Sequence, residues 1–300
     1  MDSIMKKYIA IDIGGTSIKY GLIANEQILF SCDTDTMAKK GGWHIVSLVK
    51  NIVRKYLEEQ EDIAGVCIST AGMVDTKKGE IIYAGKQIPQ YIGVNWKKEI
   101  KDEFNLPCEV ENDVNCAGLS EAISGAGKGK QSVLCLTIGT GIGACMVENG
   151  KIYNGHSYSA FEVGYLKLKD GDFQDLASTT ALIESYKEEK NDCEKDINGK
   201  LIFDLAKNGD ETAIKQIDKL IDYMCIGISN ICYIINPSIV VLGGGIMEQK
   251  EYMLPKIKEC MKKYLLKNIY DNTKFDCAKH KNKAGMLGAY YHFLNEQKSK

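Results

Sequence analysis

Tyr8-Ile9-Ala10-Ile11-Asp12-Ile13-Gly14-Gly15-Thr16-Ser17-Ile18-Lys19-Tyr20 reads as strand, tight turn, strand. Apolar residues from Tyr8 to Ile11 make a buried strand, Gly14 and Gly15 let the backbone turn at φ > 0, and Ile18, Tyr20 and Leu22 resume an alternation of period two. The N–H groups gathered at the turn, with the Thr16 hydroxyl, form a nest suited to a phosphate. Asp12 would be repelled by a bare phosphate, so its fitting role is to hold a hydrated Mg2+ that bridges to a nucleotide. A plain hairpin would use the same glycines for the turn alone, and only later segments separate the two readings.

At 300 residues and 44% hydrophobic content, the chain is long enough for two lobes with their own cores. Its 38 basic and 40 acidic residues leave a net charge of −2, which offers no basic field for nucleic acid. No window reaches the length of a membrane span, and the polar start from Met1 to Lys7 does not read as a signal peptide, so a cytoplasmic protein is expected. Eleven cysteines lie in apolar runs with no Cys-x-x-Cys spacing, as small core residues of a reducing compartment do. The histidines at 44, 156, 280 and 292 are too scattered for a zinc site or a Cys–His nucleophile.

Ile45, Val46, Val49, Ile52, Val53, Tyr56 and Leu57 share one face of a helix over 43–60. A strand over 63–69, a turn at Ala71-Gly72-Met73, and a strand ending at Val110 to Asp113 that runs into a helix complete an α/β lobe. Strand 133–138, the turn Gly139-Thr140-Gly141-Ile142-Gly143, and strand 144–147 closing at Asn149-Gly150 then repeat the plan of the opening hairpin. A long helix over 211–235 stops at Asn236-Pro237, a strand over 239–242 enters Gly243-Gly244-Gly245, and 286–294 is helical. The charged stretch Glu188 to Lys200 reads as a mobile surface insertion.

Gly139 to Ala144 fits the dinucleotide pattern G-x-G-x-x-A, but these glycines lead into strand rather than into a helix that would face a pyrophosphate. Around Lys128 and Lys130 the P-loop spacing fails, which leaves a solvated loop. What remains is two strand-glycine-strand turns and a third glycine loop.

That arrangement is similar to the two-lobed actin, Hsp70 and sugar-kinase (ribonuclease H-like) superfamily, an α/β fold with a ligand cleft between the lobes. The runs Glu111-Asn112-Asp113-Val114-Asn115-Cys116-Ala117-Gly118-Leu119-Ser120-Glu121, Thr137 to Gly143, Phe161-Glu162-Val163-Gly164-Tyr165 and Val241 to Gly245 resemble the ROK family of bacterial sugar kinases from about residue 8 to about 294. The resemblance implies a small lobe at 1–114 plus 284–300 and a large lobe at 115–283. It implies ATP and Mg2+ as cofactors, with Asp12, Gly14, Gly15, Thr16, Thr140, Gly141, Gly243 and Gly244 at the nucleotide. It implies Asp113 as the general base toward a sugar 6-hydroxyl, Gly72, Asn112 and Glu162 at the sugar, and a homodimer. An in-line attack by an alcohol needs such a carboxylate within hydrogen-bond reach. A helix N-cap is the plainer role for Asn112-Asp113.

Most of the family has Glu-x-Gly-His followed by a cysteine cluster that binds zinc. Here Tyr165 replaces the histidine and Leu166 to Ser178 holds no cysteine, so no zinc is expected. The family's second sugar-contacting glutamate falls on Gln174, and Tyr165 keeps a hydroxyl and a stacking ring. Zinc-less relatives with Glu-x-Gly-Tyr resemble kinases of β-glucosides and glucose, while some N-acetylmannosamine kinases also lack the metal. The favoured acceptor is therefore glucose or a β-glucoside, with N-acetylmannosamine close behind. Two other classes stand beside the kinase: a sugar-sensing ROK-type regulator, which would carry a helix-turn-helix domain ahead of Asp12, and a sugar-binding protein without activity.

Overall fold

The computed structural model describes residues 5–191 and 196–298 and divides them into two compact units. The first unit takes the chain up to Ile123, Lys151–Ala160 and the chain from Asn282; the second takes Ser124–Gly150 and Phe161–Lys281. The compact units thus divide the chain differently from the expected boundaries at 114 and 283.

In the first unit, β1 (Lys7–Ile13), β2 (Ser17–Ala24) and β3 (Gln27–Asp35) form an antiparallel meander, followed by α1 (Gly42–Glu59). Next come β4 (Ile63–Thr70), the hairpin β5 (Met73–Asp75) and β6 (Glu80–Tyr83), α2 (Trp96–Phe104), β7 (Cys108–Asn112) and α3 (Asp113–Ile123). The main sheet has the order β3-β2-β1-β4-β7, with β4 and β7 parallel to β1. Ile9, Ile11 and Ile13 pack with Ile45, Val49 and Val53 of α1 into its core, as the helical spacing predicts.

In the second unit, β8 (Ser132–Ile138) and β9 (Ile142–Glu148) are an antiparallel pair. The short strand β10 (Lys151–Ile152) falls in the segment that belongs to the first unit. The second unit resumes with β11 (Lys167–Leu168), β12 (Gly171–Asp172), α4 (Phe173–Ala177), α5 (Thr179–Lys190), α6 (Gly199–Lys207) and α7 (Glu211–Ile235). It closes with β13 (Ile239–Gly243), α8 (Lys250–Tyr264), α9 (Lys267–Asn272) and β14 (Lys274–Cys277). β8 carries β9 on one side and the parallel β13 and β14 on the other, the same plan as β1 with β2, β4 and β7. Asp210 caps α7 through Ala213 N–H, and Asn236 ends it in the left-handed region at φ 45°. Of the stretch read as an insertion, Glu188–Lys190 finish α5 and Gly199–Lys200 open α6, while residues 192–195 lie outside the described residues.

The last helix, α10 (Ala284–Lys298), explains why α3 stays with the first unit. Its Gly288 lies so close to α3 that a Cβ there would sit 1.8 Å from the Cys116 carbonyl oxygen. Such a contact admits only glycine and joins the two helices into one layer behind the sheet. Gly288→Ala is therefore expected to destabilise the protein by about 2–4 kcal/mol in denaturant unfolding, as an overpacked contact against backbone that cannot yield. Gly85→Ala, where a Cβ would meet nothing within 4 Å, should stay within about 0.5 kcal/mol of wild type. Equal stability of the two variants would show that the layer tolerates separation.

Candidate active site

Strand register assembles the site residues of the first unit. Asp12 on β1 lies opposite Ser69 on β4, and Ser69 lies opposite Glu111 on β7, so three polar side chains form a row across the ends of three parallel strands. One residue further, Thr70 lies opposite Asn112, and Asp113 opens α3. Ser69 donates its hydroxyl to Asp12 Oδ1 at 2.7 Å. α10 closes over the same carboxylate: a Cβ at Gly285 would lie 2.3 Å from the Asp12 Cγ. Burial raises the pKa of Asp12, opposed by the Ser69 hydrogen bond and by Lys19.

Asn112 and Asp113 are held by a network of N–H groups. Asn112 Oδ1 accepts from Val114 N at 2.9 Å and Asn115 N at 3.1 Å, so the helix-capping role is real. Asn112 Nδ2 donates to the Gly72 carbonyl at 2.9 Å and to Asp113 Oδ1 at 3.0 Å. Asp113 Oδ1 also accepts from Val114 N at 2.9 Å, which leaves Oδ2 to receive a further proton donor. Burial, and then the nearby Asp12 charge, push the Asp113 carboxyl up to about 6. Gly72 holds φ 99°, with its carbonyl aimed at Asn112. A buried hydroxyl chain steadies that turn: Trp96 Nε1 donates to Tyr91 Oη at 3.2 Å, Tyr91 meets Thr70 Oγ1 at 2.6 Å, and Thr70 donates to the Ala71 carbonyl at 3.2 Å.

The first glycine turn differs from the expected geometry. Neither Gly14 nor Gly15 has a positive φ. Gly14 N–H closes the turn onto the Ser17 carbonyl at 3.0 Å, and a Cβ there would come within 3.2 Å of that oxygen, so close approach rather than handedness explains the glycine. Gly15 and Thr16 stand exposed at the tip. Thr36, fully buried after β3, fastens the turn by donating its hydroxyl to the Gly14 carbonyl at 2.7 Å and its N–H to the Thr16 carbonyl at 3.0 Å. Nothing in its sequence neighbourhood marks Thr36 for this task.

The second unit repeats the device. Thr179 N–H and the Thr180 hydroxyl at the start of α5 bond the Gly139 and Thr140 carbonyls, both at 2.9 Å, and so anchor the β8–β9 turn. That turn leads into strand β9, as the rejection of a dinucleotide site requires. A Cβ at Gly141 would lie 3.0 Å from Gln174 Oε1. A Cβ at Gly164 would lie 2.6 Å from the Ile142 carbonyl and 2.9 Å from the same Gln174 oxygen, so the Glu162-to-Tyr165 turn is pressed onto the start of β9. Gln174 is the side chain between the two turns. Glu162 is exposed and its pKa is raised by burial of part of the carboxylate, and Tyr165 stands 57% exposed. Gly244 holds φ 90°, with its Cα so close to Ile138 that a Cβ would meet that carbonyl at 2.2 Å; Gly243 lies against Ala278.

Asp12 suits a hard cation such as Mg2+. It is an oxygen donor fixed by Ser69, and its burial penalises the charge that a cation would offset. One carboxylate, water and nucleotide phosphates form the usual Mg2+ shell, so no dense ligand cluster is needed. Among the described residues no group of three or more His, Cys, Asp and Glu side chains is placed to hold a metal, and no helix is long and apolar enough to cross a membrane.

The raised Asp113 carboxyl has a thermodynamic consequence. Pushed up from 3.8 to about 6, it binds its proton more tightly in the folded chain than in the unfolded one, so stability falls as pH rises between those values and the full penalty holds above about 6. Asp113→Asn keeps the Oδ1 acceptor and removes the charge. In EDTA-containing buffer at pH 7.5 the variant is expected to be more stable than wild type by about 1–2 kcal/mol, discounted for the solvent access that the side chain keeps, with the gain vanishing near pH 4. Chemical denaturation at the two pH values checks this; a variant less stable at pH 7.5 contradicts a penalised charge.

The ROK family sequence profile matches residues 8–296. An uncharacterized protein of Clostridium perfringens is 50% identical, covering 96% of this chain and 98% of its own. A beta-glucoside kinase of Listeria innocua is 32% identical, covering 97% and 98%. Among solved structures, a ROK family glucokinase from Streptomyces griseus in complex with glucose and AMPPNP superposes with a TM-score of 0.80 at 27% identity, over 97% of this chain and 99% of that one. With the profile spanning nearly the whole length and both hairpin turns in place, the chain belongs to the ROK family.

Proposed function

We propose that the protein transfers the γ-phosphoryl group of ATP to the 6-hydroxyl of a hexose, with glucose or a β-glucoside as the preferred acceptor. The observation that carries this reading is the Asp113 carboxyl: one oxygen is pinned by Val114 N–H and Asn112, the other is left for a hydroxyl, and its pKa lies at about 6. A carboxylate so placed takes the proton of an alcohol as the alcohol attacks phosphorus, and a base works best with a pKa near the working pH. Asn112, tied to the Gly72 carbonyl, positions a neighbouring hydroxyl. Glu162 accepts hydrogen bonds from hydroxyls on the ring edge away from the 6-position. Thr16 and the tip of its turn, with Thr140 and Gly141, bind phosphoryl oxygens, and the Gly243-Gly244 loop receives the nucleoside. Bound at Asp12, Mg2+ would neutralise phosphate charge. The glucokinase and beta-glucoside kinase relatives support the acceptor class.

A panel of glucose, cellobiose, mannose, fructose, N-acetylmannosamine and N-acetylglucosamine with Mg-ATP tests the reading. The expected order places glucose or cellobiose first. If kcat/KM for N-acetylmannosamine exceeds both by more than ~10-fold, about 1.4 kcal/mol in transition-state binding, the acceptor is an acetamido sugar instead. Asp113→Asn should lower kcat by at least ~10²-fold with sugar affinity retained, because an amide cannot take the proton. Near wild-type turnover removes Asp113 from the chemistry. Glu162→Gln should mainly raise KM for the sugar, by about 10-fold, through one weakened charge-assisted hydrogen bond.

A further inference from the structure

Glu111 is 1% exposed and takes no part in the chemistry just described, yet both of its carboxylate oxygens accept hydrogen bonds. Its Oε1 accepts from Asn112 N at 2.7 Å and from Asn115 Nδ2 at 3.1 Å, and its Oε2 accepts from Asn154 Nδ2 at 3.0 Å. Asn115 Nδ2 also reaches Asn154 Oδ1 at 3.3 Å. The donor and acceptor assignments are consistent round this ring, and each amide has one workable orientation.

Two separate segments of the chain meet at this carboxylate. Asn112 and Asn115 flank Asp113 at the start of α3, whereas Asn154 lies in Lys151–Ala160, a segment that joins the first unit although the chain on either side of it belongs to the second. The same segment is tied a second time, by the Tyr158 hydroxyl to Asp75 beside the β5–β6 hairpin. Tyr158 is held there at φ 58°, a conformation that tyrosine seldom adopts and that persists only when its surroundings enforce it. Two residues after Ala160 comes Glu162.

Resting on the kinase reading, we infer that Glu111 is a positioning residue for sugar phosphorylation: through Asn112 N–H it fixes Asn112 and Asp113, and through Asn154 it fixes the segment that leads into the Glu162 turn. Asn112, Asp113 and the segment Lys151–Ala160 are thereby referred to one buried carboxylate. Removing an acceptor from such a network leaves a buried N–H unpaired, so the effect should fall on acceptor geometry and not on the nucleotide.

The test is a donor–acceptor swap. Glu111→Gln retains an oxygen for Asn112 and Asn115 but points an NH2 group at the NH2 group of Asn154. Expected are a rise of at least ~5-fold in KM for the best acceptor of the six-sugar panel, a fall of ~10-fold in kcat, and a KM for ATP within twofold of wild type. Adding Asn154→Asp reverses the pair, so that the amide donates and the new carboxylate accepts, and should bring both sugar parameters back to within ~3-fold of wild type. Amide hydrogen exchange should accelerate in residues 151–160 of the single variant and return to the wild-type rate in the double variant. Asn154→Ala, which removes the Asn154 bonds to Glu111 and Asn115 but keeps the Asn112 and Asn115 bonds to Glu111, covers the case in which Glu111→Gln does not fold, and should raise the sugar KM in the same selective way. Unchanged sugar parameters, a parallel loss for sugar and ATP, or a double variant no better than the single would each overturn the inference. Absence of turnover by the wild-type protein on every sugar would instead overturn the kinase reading, while the exchange measurement would still decide whether Glu111 holds the segment.

Discussion

The register of three parallel strands, β1, β4 and β7, is the constraint on which the first unit's site depends. A strand presents alternate residues to one face, so a slip of one position would exchange every polar side chain at the strand ends for an apolar one. The alternation of isoleucines along β1 prevents the slip, because Ile9, Ile11 and Ile13 have to face the core with α1. With register fixed, Asp12, Ser69 and Glu111 fall in one row, and the end of β7 and start of α3 deliver Asn112 and Asp113. Hydrophobic burial thus sets the coordinates of the polar chemistry.

The row is an electrostatically demanding arrangement. Burial raises the cost of ionising both Asp12 and Asp113, and the Asp12 charge adds to the cost at Asp113. The fold supplies partial relief through neutral donors: Ser69 for Asp12, and Val114 N–H and Asn112 for Asp113. Relief of this kind orients a carboxylate without cancelling its charge. On the proposed kinase reading, a cation at Asp12 and a proton at Asp113 would supply the remaining compensation.

Much of this was legible in the sequence, and the limit of legibility is the reach of local pattern. Period-two and 3.6-residue patterns located β1, β4, β8, β13, α1 and α7 because burial acts on neighbours in the chain. The glycine turns were located, but the reason for Gly14 and Gly15 was misjudged: backbone proximity to Ser17, not positive φ, excludes a side chain at Gly14. Thr36, Thr180 and Asn154 gave no signal, since each acts on a partner between 22 and 43 residues away, and a lone threonine or asparagine is indistinguishable from a surface residue. Glu111 stood inside the resembling motif without a role, for its partners become visible only when β7, α3 and Lys151–Ala160 are brought together. The grouping of α3 with the first compact unit was illegible for a similar reason, because the glycine contact with α10 joins residues 116 and 288.

The Glu162-to-Tyr165 turn and the two hairpin turns are held in place by different means. At both hairpin turns the placement of N–H groups and hydroxyls follows from strand pairing. The Glu162-to-Tyr165 turn is fastened by backbone on one side, through Gly164 against Ile142, and by one replaceable side chain, Gln174, on the other. The Gln174 amide fills the gap between Gly141 and Gly164, so one neutral side chain couples the Glu162-to-Tyr165 turn to the β8–β9 turn. A change of side-chain volume at 174 therefore acts on the Glu162-to-Tyr165 turn, while the β8–β9 turn keeps the geometry that strand pairing has set.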